Sequence, residues 1–130
     1  MIYRKKLLTS YTITPNLYQL KSEKYCYLYI MNVLSQNIDQ IYELCNKYNV
    51  ETLFAFGSVL TDQFNEESDI DFVVDIASED PLIYSDNYFG LKFQLESIFK
   101  RKVDLLEQKA LHNQYLKQQI DKTKVLLYGK

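Results

Sequence analysis

Runs of apolar and polar residues along the chain predict a small domain of alternating helices and strands. From residue 34 to residue 48, apolar side chains recur at the spacing of an amphipathic helix. Three short apolar runs predict buried strands, at 52–56, 70–76 and 102–106. Further helices are predicted over 59–64, 86–100 and from Asn113 onward, and the apolar end at 125–128 is expected to pack back onto the domain. This order predicts an α/β fold in which helices cover a small mixed β-sheet.

The most informative feature of the chain is the spacing between a Gly-Ser pair and two aspartates. The first apolar strand ends in Gly57 and Ser58, and the next one begins with Asp69 and Asp71 on either side of Ile70. The chain has only three glycines, and one at a strand end allows other groups to approach the backbone closely. Alternate residues of a strand face the same side, so the two aspartates project together. Their mutual repulsion predicts a divalent cation between them.

This arrangement resembles the signature of the nucleotidyltransferase superfamily typified by DNA polymerase beta, and is most similar to that of the minimal nucleotidyltransferases. The resemblance extends over about residues 34–128. It implies a polymerase beta-like fold and a third carboxylate on a later strand. Asp104 is the one candidate that has strand-type neighbours and follows a helix-length interval.

The resemblance also implies a role for each of these residues. Asp69, Asp71 and Asp104 would be the catalytic carboxylates that bind two Mg²⁺ ions, with Asp104 nearest to the attacking hydroxyl. Gly57 and Ser58 would bind the phosphates of a nucleoside triphosphate, normally ATP, through backbone N–H groups and the serine hydroxyl.

One departure from the family pattern concerns the residues that follow the Gly-Ser pair. Many relatives carry a basic residue there, whereas this chain has Val59, Leu60 and Thr61. Phosphate binding would therefore depend on the backbone, the metal and Ser58, or on a lysine from elsewhere in the chain.

Size and charge limit the functions that the chain can have. Its 130 residues predict one domain without a separate acceptor-binding domain. The net charge of −2, with no basic cluster among aromatic residues after position 30, argues against direct nucleic-acid binding. No apolar segment reaches membrane-spanning length, so we expect a cytoplasmic protein without membrane contact. Cys26 and Cys45 match no metal-binding spacing and are expected to be ordinary thiols.

The first 30 residues differ in composition from the rest of the chain. They carry five basic residues, one acidic residue and six of the twelve tyrosines, whereas residues 31–130 carry ten basic and sixteen acidic residues. Two interpretations are open: an arm that contacts a partner, or an upstream extension of a gene whose start codon encodes Met31. We therefore predict a nucleotidyltransferase domain at 31–130, preceded by an extension at 1–30.

The resemblance implies the transfer of AMP from ATP to an acceptor hydroxyl. Minimal nucleotidyltransferases are commonly encoded beside a small helical HEPN protein, an RNase toxin, and act as antitoxins by adding AMP to one of its tyrosines. We therefore expect a HEPN-type partner. Two alternatives are a non-catalytic binding module that blocks a toxin by contact, and a small-molecule (antibiotic-type) nucleotidyltransferase that acts as a homodimer.

Overall fold

The computed structural model describes residues 32–61 and 64–129. The predicted extension at 1–30 and Cys26 lie outside the described residues. Within these residues a helical turn at 32–35 precedes three longer helices: α1 (Ile38–Lys47), α2 (Pro81–Phe99) and α3 (Gln114–Thr123). Four strands complete the fold: β1 (Val50–Phe56), β2 (Ile70–Ile76), β3 (Val103–Glu107) and β4 (Val125–Tyr128). Among these described helices, none is both long and apolar enough to cross a membrane.

The four strands form one mixed sheet in the order β3-β2-β1-β4, which confirms the predicted fold class. Strands β2 and β3 run parallel, whereas β1 runs antiparallel to both β2 and β4. The segment at 125–128 does pack onto the domain, and it does so as an edge strand. Its four residues are too few to show a strand period in the sequence.

The helices α1 and α2 cover one face of the sheet. Strand β2 shows the alternation clearly, because Phe72 and Val74 are fully buried on the helix side and Phe72 contacts Phe99 of α2. Asp71 and Val73 project from the opposite face. We call this opposite face the carboxylate face; it carries Phe54, Phe56, Asp71, Val73, Asp104 and Leu106.

Three helix predictions were wrong in their bounds. The helix predicted from residue 34 begins at Ile38, after a separate helical turn at 32–35. Helix α2 begins at Pro81 rather than near residue 86, because proline suits the first helical position and the Asp80 side chain accepts a hydrogen bond from the Leu82 N–H at 2.9 Å. The helix predicted over 59–64 is instead a single 3₁₀ turn at Gly57–Leu60. The predicted left-handed end of α1 at Asn49 is confirmed by a φ of 57°.

Candidate active site

The Gly-Ser turn and the second strand are in direct contact. Gly57 has a φ of +76°, a conformation that favours glycine, and a β-carbon there would collide with Oδ2 of Asp71. The turn then continues as a 3₁₀ helix that buries Val59 beneath it. The absence of a side chain at position 57 thus allows the backbone to approach the Asp71 carboxylate.

The sheet register brings two of the three predicted carboxylates together. Asp71 of β2 lies directly opposite Asp104 of the parallel strand β3, and opposite Phe56 of β1 on its other side. Side chains in register on neighbouring strands project from the same face. Asp69 lies just before β2 and is exposed, as is Asp104.

The electrostatics of Asp71 reflect this crowding of negative charge. Partial burial, followed by repulsion from Asp104 and then Asp69, raises the pKa of Asp71 from 3.8 to about 6. A hydrogen bond from the Ser58 backbone N–H opposes the rise. The protein therefore places too little positive charge near the ionised Asp71 carboxylate to offset this repulsion.

The donor set at this position fits Mg²⁺ by its chemistry. Carboxylate oxygens are the protein ligands that Mg²⁺ prefers, and a cation would relieve the repulsion at Asp71. Within residues 32–61 and 64–129, no three acidic, histidine or cysteine side chains yet converge closely enough to hold a metal ion. The exposed side chains of Asp69 and Asp104 would have to turn toward Asp71 to share one.

The residues expected to bind phosphate do not lie at the N-terminus of an α-helix, because the helix predicted over 59–64 is a 3₁₀ turn at Gly57–Leu60. The 3₁₀ turn has four residues, too few for a substantial helix dipole. The Ser58 N–H already donates to Asp71, and the Ser58 hydroxyl makes a long hydrogen bond of 3.5 Å to the Asp69 carbonyl. Any phosphate would therefore compete for individual donors of Ser58 rather than meet a dipole.

Sequence reasoning missed Arg101, which holds the loop before the carboxylates. Its guanidinium donates to the carbonyls of Asn65 at 2.8 Å and Ser68 at 3.0 Å, and lies over the ring of Phe64 at 4.7 Å. These contacts fix the backbone that leads directly into Asp69. The only sequence signal is that Arg101 is one of only two arginines in the chain.

Comparison with known proteins identifies the family. Residues 39–130 match the family described as polymerase beta, nucleotidyltransferase. The chain belongs to this family. As a member of the polymerase beta nucleotidyltransferase family, it is an enzyme of the nucleotidyltransferase class, and its mixed sheet agrees with that fold.

Individual relatives of this nucleotidyltransferase are similar over most of their length. A Methanocaldococcus jannaschii protein, whose name proposes a protein adenylyltransferase, is 38% identical over 78 residues, which cover 60% of this chain and 77% of that protein. A chain in the crystal structure of a toxin–antitoxin complex with AMP-PNP is 25% identical, with a TM-score of 0.57 and coverage of 72% and 74%. A chain in the structure of a tri-AMPylated Shewanella oneidensis HEPN toxin in complex with MNT antitoxin has the same fold, with a TM-score of 0.52, 24% identity and coverage of 74% of this chain and 72% of that chain.

Proposed function

We propose that this nucleotidyltransferase transfers AMP from ATP to a hydroxyl group of a partner protein, using Mg²⁺ held by Asp69, Asp71 and Asp104. The observation that carries the proposal is the register of the sheet, which places Asp71 opposite Asp104 beside the Gly57 turn. Three acids around one strand end destabilise a metal-free fold, so their placement favours a cation-binding function over a purely structural one.

The chemistry follows from the order of these residues across the sheet. The acceptor oxygen forms a bond to the α-phosphorus of ATP, the bond from that phosphorus to the bridging oxygen of the β-phosphate breaks, and pyrophosphate leaves. Asp104, exposed at the start of β3, accepts the proton of the acceptor hydroxyl. Ser58 donates hydrogen bonds to the phosphates. Bound Mg²⁺ would supply Lewis-acid stabilisation of the charge that develops on the phosphate oxygens.

The acceptor that we assign is a tyrosine of a small helical HEPN-type protein, which this chain would neutralise as an antitoxin. Two relatives support adenylylation of a protein and a role in a toxin–antitoxin pair: the Methanocaldococcus jannaschii protein named for protein adenylylation and the toxin–antitoxin structure that contains AMP-PNP.

Co-expression of the full chain with a HEPN-type protein encoded beside its gene tests this proposal. Intact-mass spectrometry of the partner should show added AMP, and the Asp104→Asn variant should lose the addition while the complex still forms. Glu66→Gln, at an exposed carboxylate in the loop before β2, is the matched control and should transfer normally. If wild type and Asp104→Asn neutralise an unmodified partner equally well, the chain is a contact-only binding module.

A further inference from the structure

The phosphate-binding region needs a positive charge that its own turn does not supply. The three residues after Ser58 are Val59, Leu60 and Thr61, and the 3₁₀ turn is too short to provide a substantial dipole. A triphosphate carries several negative charges and would lie next to the acidic residues Asp69 and Asp71. A cationic side chain on the Gly57–Ser58 side of the carboxylate face would add to the charge that Mg²⁺ offsets.

Lys124 occupies this position in the sheet. It lies between α3 and β4, and α3 packs against the 3₁₀ turn. The β1–β4 ladder pairs Ala55 with Val125, so the next pair along is Phe56 and Lys124. Phe56 in turn lies opposite Asp71. Lys124 thus continues the row of residues that contains the carboxylates, on the β1 side, where the Gly-Ser turn begins.

The surroundings of Lys124 favour the binding of an anion to its ammonium group. Its Nζ lies 4.3 Å from the ring centroid of Phe54, on the carboxylate face, and its side chain is only 20% exposed. Charge interactions strengthen when water is excluded in this way. Its present partner is Asp121, in the last turn of α3, at 2.9 Å and 43% exposed. A partly exposed ion pair between residues three apart in the sequence is weak, so a phosphate can displace Asp121.

Two other basic residues near this face are already committed to other contacts. Lys109 pairs with Asp75 at 3.3 Å, and Asp75 lies four residues beyond Asp71 along β2. Arg101 donates to backbone carbonyls of the loop before Asp69. Lys102 lies across from Asp69 on the β3 side, because it precedes the Ile70–Val103 pair. None of these three residues is placed beside the Gly-Ser turn.

We infer that Lys124 contacts the triphosphate of the bound nucleotide and replaces the basic residue that is absent after Ser58. The inference rests on the proposed function, because it requires ATP to bind at the carboxylate face. It assigns Asp121 the role of holding the ammonium group in place until the nucleotide enters.

Calorimetric titration of Mg²⁺-ATP and of Mg²⁺-tripolyphosphate into the full chain tests the inference. Lys124→Met keeps the packing over Phe54 without the charge, and should weaken both ligands about tenfold, the effect of one lost charge-assisted contact. Lys124→Arg should stay within about threefold of wild type, and Asp121→Asn should bind more tightly, because the competing carboxylate is gone. Lys122→Gln, on the exposed surface of the same helix, is the matched control and should bind as wild type does.

The possible contrary results distinguish a failure of the inference about Lys124 from a failure of the proposed function. If wild type binds Mg²⁺-ATP and Lys124→Met binds it equally well, the inference about Lys124 is overturned and the proposed function stands. A loss for ATP alone, without a loss for tripolyphosphate, assigns Lys124 to the nucleoside and also overturns the phosphate contact. The variant Asp121→Asn leaves Lys124 itself unchanged. Unchanged affinity in this variant would therefore contradict the proposed competition between the Asp121 carboxylate and the phosphates for the Lys124 ammonium group. If wild type binds no Mg²⁺-ATP, the proposed function fails first.

Discussion

The α-carbon of Gly57 lies so close to the carboxylate of Asp71 that a β-carbon at position 57 would overlap Oδ2 of that aspartate. The same glycine has a φ of +76°. Both features have one origin, because β1 must turn away immediately after it places Phe56 opposite Asp71. The glycine is therefore required by the position of a carboxylate as well as by the turn.

Gly57→Ala should lower the free energy of unfolding by about 2–4 kcal/mol, because it adds backbone strain to a steric overlap. Urea denaturation of the metal-free protein measures this loss. Asp71→Ala removes the overlap but not the strain, so the double variant should be less destabilised than the sum of the two single variants. Strict additivity of the two effects would show that Gly57 and Asp71 do not constrain each other.

In metal-free protein, Asp71→Asn should stabilise the fold near neutral pH. Partial burial, then repulsion from Asp104 and Asp69, raises the pKa of Asp71 to about 6 from 3.8. Folding favours the protonated form of Asp71, so the wild-type chain loses stability as the pH rises from 3.8 to about 6. The variant has no carboxylate at position 71 and therefore has no such loss. With allowance for solvent screening of a partly exposed group, the variant should be about 1–2 kcal/mol more stable well above the interval.

Urea unfolding in EDTA, below about pH 3 and above about pH 7, tests the sign of this effect. The two proteins should have nearly equal stability at the acidic end, where Asp71 is protonated in both the folded and the unfolded chain. A difference that is independent of pH, or a variant that is less stable at neutral pH, would contradict the assigned repulsion.

Mg²⁺ should be required for tight binding of ATP, because it relieves the repulsion between the acids of the site. We expect the double variant Asp69→Asn, Asp71→Asn to lose the affinity that Mg²⁺ provides. Titration of ATP with and without Mg²⁺ measures it, with Glu66→Gln and Glu67→Gln as controls at exposed carboxylates of the same loop. Equal affinity of wild type and the double variant in the presence of Mg²⁺ would exclude this metal site.

A protein that begins at Met31 should fold with a stability within about 1 kcal/mol of the full chain. Buried apolar residues between Leu34 and Leu127 form one cluster, to which every strand of the sheet contributes. Urea denaturation with matched fluorescence probes compares the two lengths. Insolubility of the shorter protein, or a loss of several kcal/mol, would make the tyrosine-rich segment an integral part of the fold.

Much of the scaffold could be predicted from the sequence because its strands are short and apolar. The bounds of β2 were predicted correctly, since Ile70–Ile76 follows the polar residue Asp69 and is soon followed by the polar residues at 78–80. The start of α2 was not predicted, although Pro81 suits the first turn of a helix and Asp80 before it is a helix cap. The pairing of β4 with β1 depends on long-range contacts that no local pattern of four residues contains.

The candidate site was predictable to the extent that it depends on strand periodicity. Alternation predicted that Asp69 and Asp71 share a side, but the register that places Asp104 opposite Asp71 is a property of the folded sheet. Arg101 and Lys124 were missed as site residues for the same reason. Each acts across elements that are far apart in the sequence, so no spacing rule links either residue to the Gly-Ser turn.

The central claim, that the carboxylate face transfers AMP to a protein, is tested most directly by following a phosphate label from ATP. The full chain is incubated with Mg²⁺ and a neighbouring-gene HEPN-type protein, in parallel reactions with ATP labelled at the α- or at the γ-phosphate. The α-label alone should become covalently attached to the partner, and Asp104→Asn should abolish the attachment. Attachment of the γ-label, or equal α-labelling by wild type and Asp104→Asn, would contradict it.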